Sequence, residues 1–285
     1  MSSQVEPEPR TVKTGMRGIL IAAAILVLGV GFPLFLFPKN TDVDFAWTIA
    51  SPIMAAALGA SYLSASVLEA LAARASTWAN ARIAVPTVFI FTILTLAITF
   101  IHIDRFHLDA GSFPARFIAW VWLGVYVIVP IILGIQWFRQ TRTPSPDPKP
   151  VASISPQSRA FWFGSSPILL LLGAYLLVAP LSAAAFWPWA LTPLTGRAVG
   201  AWLIGFGVVS AHAGLERDLV RLYPIFPALT LFAVLQGIVL MRFHAELDWA
   251  RPSAWVYALV LVSWLAIGLH SWMSVGKHQR TGRRG

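Results

Sequence analysis

Residues 17–37 read RGILIAAAILVLGVGFPLFLF, a single arginine followed by twenty residues without a charge. A helix rises about 1.5 Å per residue, so a run of this length crosses about 30 Å, the thickness of a bilayer's hydrocarbon core. Lipid offers no hydrogen bonds to the backbone, and helix is the form in which one segment satisfies its own. Seven more stretches read the same way: 47–72, 83–103, 115–138, 166–186, 198–215, 222–243 and 253–275. The expectation is an all-α, polytopic bundle of eight transmembrane helices. The first run is too long for a cleavable signal peptide and lacks a small-residue cleavage site, so it is expected to remain as a span.

Composition agrees. Of 285 residues 57% are hydrophobic and 12% charged, about half the charge of an ordinary soluble domain. There is no cysteine, which excludes disulfides, thiolate zinc, iron–sulfur clusters and a thiol nucleophile. The net charge of +9 would suit nucleic acid until it is placed along the chain. With the N-terminus in the cytoplasm, the inner side takes Arg10, Lys13, Arg17, Arg74, Arg82, Arg139, Arg142, Lys149, Arg159, Arg217, Arg221, Lys277, Arg280, Arg283 and Arg284. Lys39, Arg105, Arg116, Arg197, Arg242 and Arg251 fall outside. Acids divide evenly, with Glu6 and Glu69 among those inside, so the whole excess lies on one face, as the positive-inside bias requires. Membrane orientation accounts for the charge without nucleic acid. The bilayer itself is the expected partner, in a bacterial-type plasma membrane with both termini cytoplasmic. Trp47, Trp187, Trp189, Trp249 and Trp255 near outer ends, and Trp78, Trp137, Trp162 and Trp272 near inner ends, read as an aromatic belt.

Between the fourth and fifth runs lies Thr143-Pro144-Ser145-Pro146-Asp147-Pro148-Lys149-Pro150. Its alternating prolines forbid helix and predict an extended cytoplasmic connector. The chain thus divides into a tail (1–16), a four-helix unit (17–138), the Pro-rich linker (139–165), a second four-helix unit (166–275) and a basic tail (276–285). The two units share landmarks. Pro52 and Pro193, and Pro86 and Pro227, are 141 residues apart; His102 and His244, Asp104 and Glu246, and Trp122 and Trp264 are 142 apart. This pattern points to a tandem 4+4 repeat about an axis along the membrane normal. Ala55–Ala57, Gly59 and Ala60 in the second span, and Gly196, Gly200, Ala201, Gly205 and Gly207 in the sixth, mark close helix packing. Thr195 is the expected N-cap of the sixth span.

Chemistry concentrates at the outer ends of the third and seventh spans. Thr92, Thr95, Thr99 and His102, spaced by 3, 4 and 3, share one helical face. Asp104 and His107 follow, and His244 and Glu246 occupy the corresponding end of the second unit. Imidazole and carboxylate bind divalent metals and run acid–base chemistry near neutral pH. His102, Asp104, His107, His244 and Glu246 are therefore the metal candidates. With the Thr stripe and Arg197 they form a candidate ligand site for a small molecule or lipid. His212 and His270, near inner ends, are the pair that could ligate a haem. No Asp, Glu, Lys or Arg is placed at mid-span, Glu69 being assigned to an inner end, which argues against a charge-coupled carrier. Neither H-E-x-x-H nor G-x-S-x-G occurs. Three classes remain: a small-molecule or lipid binding or transport protein, a metal- or haem-dependent membrane enzyme or redox subunit, and a structural assembly protein without a ligand.

Overall fold

The computed structural model describes residues 8–281, with side chains to Lys277. Glu6, Arg283 and Arg284 lie outside the described residues, as does the side chain of Arg280. The chain folds into helices α1 (Thr14–Leu36), α2 (Thr41–Asp44), α3 (Pro52–Arg74), α4 (Trp78–Ala81), α5 (Val85–Ile101), α6 (Phe113–Thr141), α7 (Pro156–Val178), α8 (Pro180–Ala184), α9 (Pro193–Leu215), α10 (Ile225–Arg242) and α11 (Pro252–Thr281). Three-residue 3₁₀ turns follow α5 (Ile103–Arg105) and α10 (His244–Glu246), and a longer one, Leu219–Leu222, precedes α10. Among the described residues there is no strand, only single bridges joining Thr11 to Thr77, Trp47 to Phe106 and Ser153 to Asp218. Seven helices are long and apolar enough to cross a membrane, while α5, with 17 residues, falls just short. The protein is a multi-pass helical membrane protein.

Local signals set the helix starts. Ser51, Ser112, Ser155 and Thr192 each accept a hydrogen bond from a backbone N–H in the first turn, with proline at the first or second helical position. Such a residue satisfies an orphan donor, and proline there forfeits nothing. The cap of α9 is Thr192, not Thr195. Thr195 sits three residues on and completes a capping box with it. Proline also corrects the fifth span: α7 begins at Pro156 and ends at Val178, because Pro180 starts the separate short helix α8 within the apolar run.

The tightest packing is between backbones. A Cβ on Gly59 would stand 2.9 Å from Gly31 O and 2.8 Å from Phe35 Cα; one on Gly200 would stand 2.8 Å from Gly173 O. Glycine thus lets α3 lie directly on α1 and α9 on α7, as the small residues of these spans predicted. Across the bundle α3 packs against α10, and α5 against α9. Gln236 on α10 donates to Ala57 O (2.9 Å) and Ser61 Oγ (3.3 Å) on α3.

Aromatic placement departs from the belt reading. Trp249, Trp255 and Trp272 are exposed, but Trp47, Trp78, Trp162 and Trp189 are buried. Trp47 packs edge-on to Trp122 at 5.0 Å, and Trp189 donates to Met54 Sδ. Proximity to a helix end left these rings free to turn inward, where they cover more apolar area.

Replacing Gly59 or Gly200 by Ala is expected to force the paired helices apart and cost about 1–3 kcal/mol. Gly29→Ala, whose Cβ would meet nothing within 4 Å, is the neutral control. Thermal unfolding of the three variants in detergent measures the difference.

Candidate functional site

The residues singled out at the ends of α5 and α10 lie near one end of the bundle but are engaged separately. Arg197 on α9 donates to His102 Nε2 at 2.8 Å. A guanidinium only donates, so this nitrogen accepts and the imidazole proton sits on Nδ1. Arg197 Nε also donates to Leu177 O. His107 Nδ1 donates to Phe45 O (2.9 Å), and its Nε2 faces Thr48 Oγ1 (3.0 Å). Asp104 pairs with Arg105, both well exposed. His244 Nδ1 bonds to Met241 O within its own turn. Glu246 Oε2 accepts from Ile53 N, in the first turn of α3. Among the described residues no group of three or more His, Asp and Glu could hold a metal ion. His102, His107 and Glu246 are bonded to residues distant in sequence, Asp104 and His244 to near neighbours.

The threonine stripe is buried but not a cavity wall along its length. Thr92 donates to Phe89 O and Thr99 to Thr95 O, while Trp122 Nε1 donates to Thr99 Oγ1 at 3.1 Å. Thr95 and Thr99 border only a void of about 20 Å³ beside Trp47 and Trp122. The haem candidates differ in setting. His212 is half-buried on α9, whereas His270 is exposed on α11, a helix that packs on α10.

A larger space lies in the centre. A cavity of about 110 Å³ is bordered by residues of α1, α3, α5, α6, α7, α9, α10 and α11. Its walls are largely apolar, with aliphatic side chains and the rings of Phe91, Tyr126, Phe161, Trp162, Trp202, Phe206, Phe232 and Trp264. Phe91 and Trp202 pack at 4.3 Å between centroids. Thr92 of the stripe belongs to this wall, as do Ser64, Ser165 and Ser210.

Two wall residues carry polar atoms that the protein leaves unbonded. Glu69 is 3% exposed, and its Oε2 has no hydrogen-bond partner; Thr87 Oγ1 is equally orphaned. Glu69 therefore does not solvate an inner helix end. It lies five residues inside α3, on the face that carries Ser61, Ser64, Ala65 and Leu68, and borders the cavity. Buried polar groups are nearly always satisfied by protein or ordered water, and these two oxygens at the cavity wall have no partner within the protein. The signal in the sequence was a lone acid within an apolar segment, masked by its nearness to Arg74.

At the opposite end from His102, an ionic cluster fastens the Pro-rich stretch. Arg82 pairs with Asp147 and, at 2.6 Å, with Glu216. Arg221 donates to Glu216 (3.1 Å) and to Pro148 O. Asp218 accepts from Val151 N and Ala152 N, and Arg10 donates to Ser145 O. The stretch is extended, as its prolines dictate, and is strapped to α4 and to the 3₁₀ turn Leu219–Leu222. Burial opposes the charge of Glu216, but the hydrogen bond from Arg82, the Arg217 backbone N–H and the charges of Arg82 and Arg221 outweigh it and hold its pKa below the ordinary value. For Arg82, burial again opposes the charge, and Glu216 and Asp147 reverse it and raise its pKa.

Comparison with protein-family models, curated proteins and solved structures returns no match.

A carboxylate whose folded pKa is lowered stabilises fully above its unfolded pKa, and that contribution is lost as pH falls through the folded value. Glu216→Gln is expected to lower the melting temperature at neutral pH and to flatten its fall below the ordinary carboxylate range. Melting curves of the two proteins across acid pH check this.

Proposed function

We propose that this chain binds or transports a small, largely apolar molecule in the central cavity, as an eight-span membrane protein built from two four-helix repeats. The observation that carries the reading is the cavity itself. It is bordered by helices from both halves, is lined by apolar side chains that include several aromatic rings, and has unbonded polar atoms on Glu69 and Thr87. Ligand sites in helical bundles combine an apolar lining with a few polar groups in this way. A volume near 110 Å³ is of the order that accepts a single aromatic ring. It suits a small molecule, or one segment of a lipid chain, better than a whole lipid.

Backbone landmarks recurring at separations of 141 or 142 residues support the repeat. The glycine contact of Gly31 with Gly59 recurs as Gly173 with Gly200. The bridge of Thr11 to Thr77 recurs as Ser153 to Asp218. The 3₁₀ turns Ile103–Arg105 and His244–Glu246 follow residues of nearly equal φ and ψ, −120° and 28° at His102, −119° and 28° at Phe243. The packing of α3 on α10 and of α9 on α5 is the exchange that a two-fold relation between halves produces. In this reading α5, about 25 Å long, is the eighth span, and modest bilayer thinning accommodates it. The strapped cluster of Arg82 and Arg221 lies on the cytoplasmic side with the excess of basic residues, in a bacterial-type plasma membrane.

Gly205 gives a direct test. A Cβ there would meet only Thr87 Cγ2, at 3.6 Å, so Gly205→Leu is expected to fold while filling the cavity. Native mass spectrometry of the wild type should find a small apolar compound that Gly205→Leu lacks. An identical set of bound compounds in both proteins, or none in either, removes the central cavity as the site.

A further inference from the structure

We propose that the molecule held in the cavity is a small organic cation, an aromatic or aliphatic amine whose ammonium group sits at Glu69 and whose apolar body lies among the rings. This rests on the cavity reading above and names its ligand class. Glu69 is the acid of the wall; no ion pair or hydrogen bond from the protein answers its Oε2. A carboxylate held in hydrocarbon without a countercharge is unfavourable, and a bound cation relieves it. An ammonium also brings donors, which Oε2 and the orphaned hydroxyl oxygen of Thr87 can accept.

The other cations fit less well. A metal ion of the calcium or magnesium class takes six or more oxygen ligands, and no group of three or more His, Asp and Glu assembles among the described residues. A bare proton would need neither a space of about 110 Å³ nor a lining of aromatic rings. Those rings are what an organic cation uses. The faces of tryptophan, tyrosine and phenylalanine carry negative potential and attract ammonium groups, most strongly where water is excluded. Trp202, Phe91 and Tyr126 supply three such rings beside the cavity. A neutral apolar guest would gain from the rings alone and would leave the Glu69 carboxyl unanswered.

Purified full-length protein in nanodiscs, titrated calorimetrically with benzylammonium and with the near-isosteric neutral benzyl alcohol, separates the readings. The wild type is expected to bind benzylammonium at least about tenfold more tightly than benzyl alcohol, and that preference is expected to be lost in Glu69→Gln. Equal binding of the two probes by the wild type overturns the cation assignment and leaves the cavity as a site for neutral molecules. Preference for the ammonium that persists in Glu69→Gln overturns the role of Glu69. Binding of neither probe overturns this assignment, and an unchanged Gly205→Leu ligand profile would then remove the cavity reading with it. Should Glu69→Gln fail to fold, the preference measured in the wild type alone still decides whether the ligand is a cation.

Discussion

Backbone laid directly on backbone is the contact from which the bundle's shape follows. Within lipid there is no hydrophobic force to press helices together, so dispersion contact at close range and hydrogen bonds across helices do that work. Gly31 against Gly59 and Gly173 against Gly200 bring α1 onto α3 and α7 onto α9 at separations that one added methyl group would disturb. The larger side chains are thereby confined to the remaining faces. Many of them are aromatic, and where their planes meet in the middle they do not fill the space completely. The cavity is the geometric remainder of two tight pairs bordering a ring-filled centre.

The second constraint is that hydrocarbon leaves a polar atom no solvent. Several of the buried polar side chains obey it by local means. Ser61, Ser64, Ser66, Thr99 and Thr230 return their hydroxyl protons to carbonyls three or four residues back. Tyr62 and Tyr126 share a hydrogen bond. Against that background the unbonded oxygens of Glu69 and Thr87 border the central cavity, as the unbonded Trp187 Nε1 and Gln236 Oε1 border a smaller space of about 50 Å³.

The helical membrane architecture was legible in the uncharged runs, and the Ser-Pro and Thr-Pro pairs Ser51-Pro52, Ser155-Pro156 and Thr192-Pro193 mark three of the helix starts. The small residues of the second and sixth spans foretold the close packing. Other features were hidden for physical reasons. Helical periodicity says that Glu69 shares a face with Ser61 and Ser64, but not that seven other helices surround that face. The residue also stood near Arg74, where an acid reads as a surface group. The histidines show the same limit. Their chemistry is versatile, yet His107 is occupied at both ring nitrogens, and His102 meets an arginine brought from the other side of the chain's midpoint. Which partner a polar group finds is a property of the assembled bundle. Trp47, Trp78, Trp162 and Trp189 teach the same about rings, since position along a helix does not decide whether they face lipid or core.

The strapped proline-rich stretch has a consequence for the order in which the protein can be assembled. Arg82 and Glu216 are separated by 134 residues in sequence, and Asp218 bonds to amides 66 and 67 residues before it. A ribosome that has just finished the stretch has made Arg82 and Asp147 but none of the groups that clasp the stretch from the far side. Those groups arrive only once α9 has been threaded into the bilayer. The clasp can therefore close only after the chain has been made beyond α9, and its last member, Arg221, is in place before α10 and α11 are made.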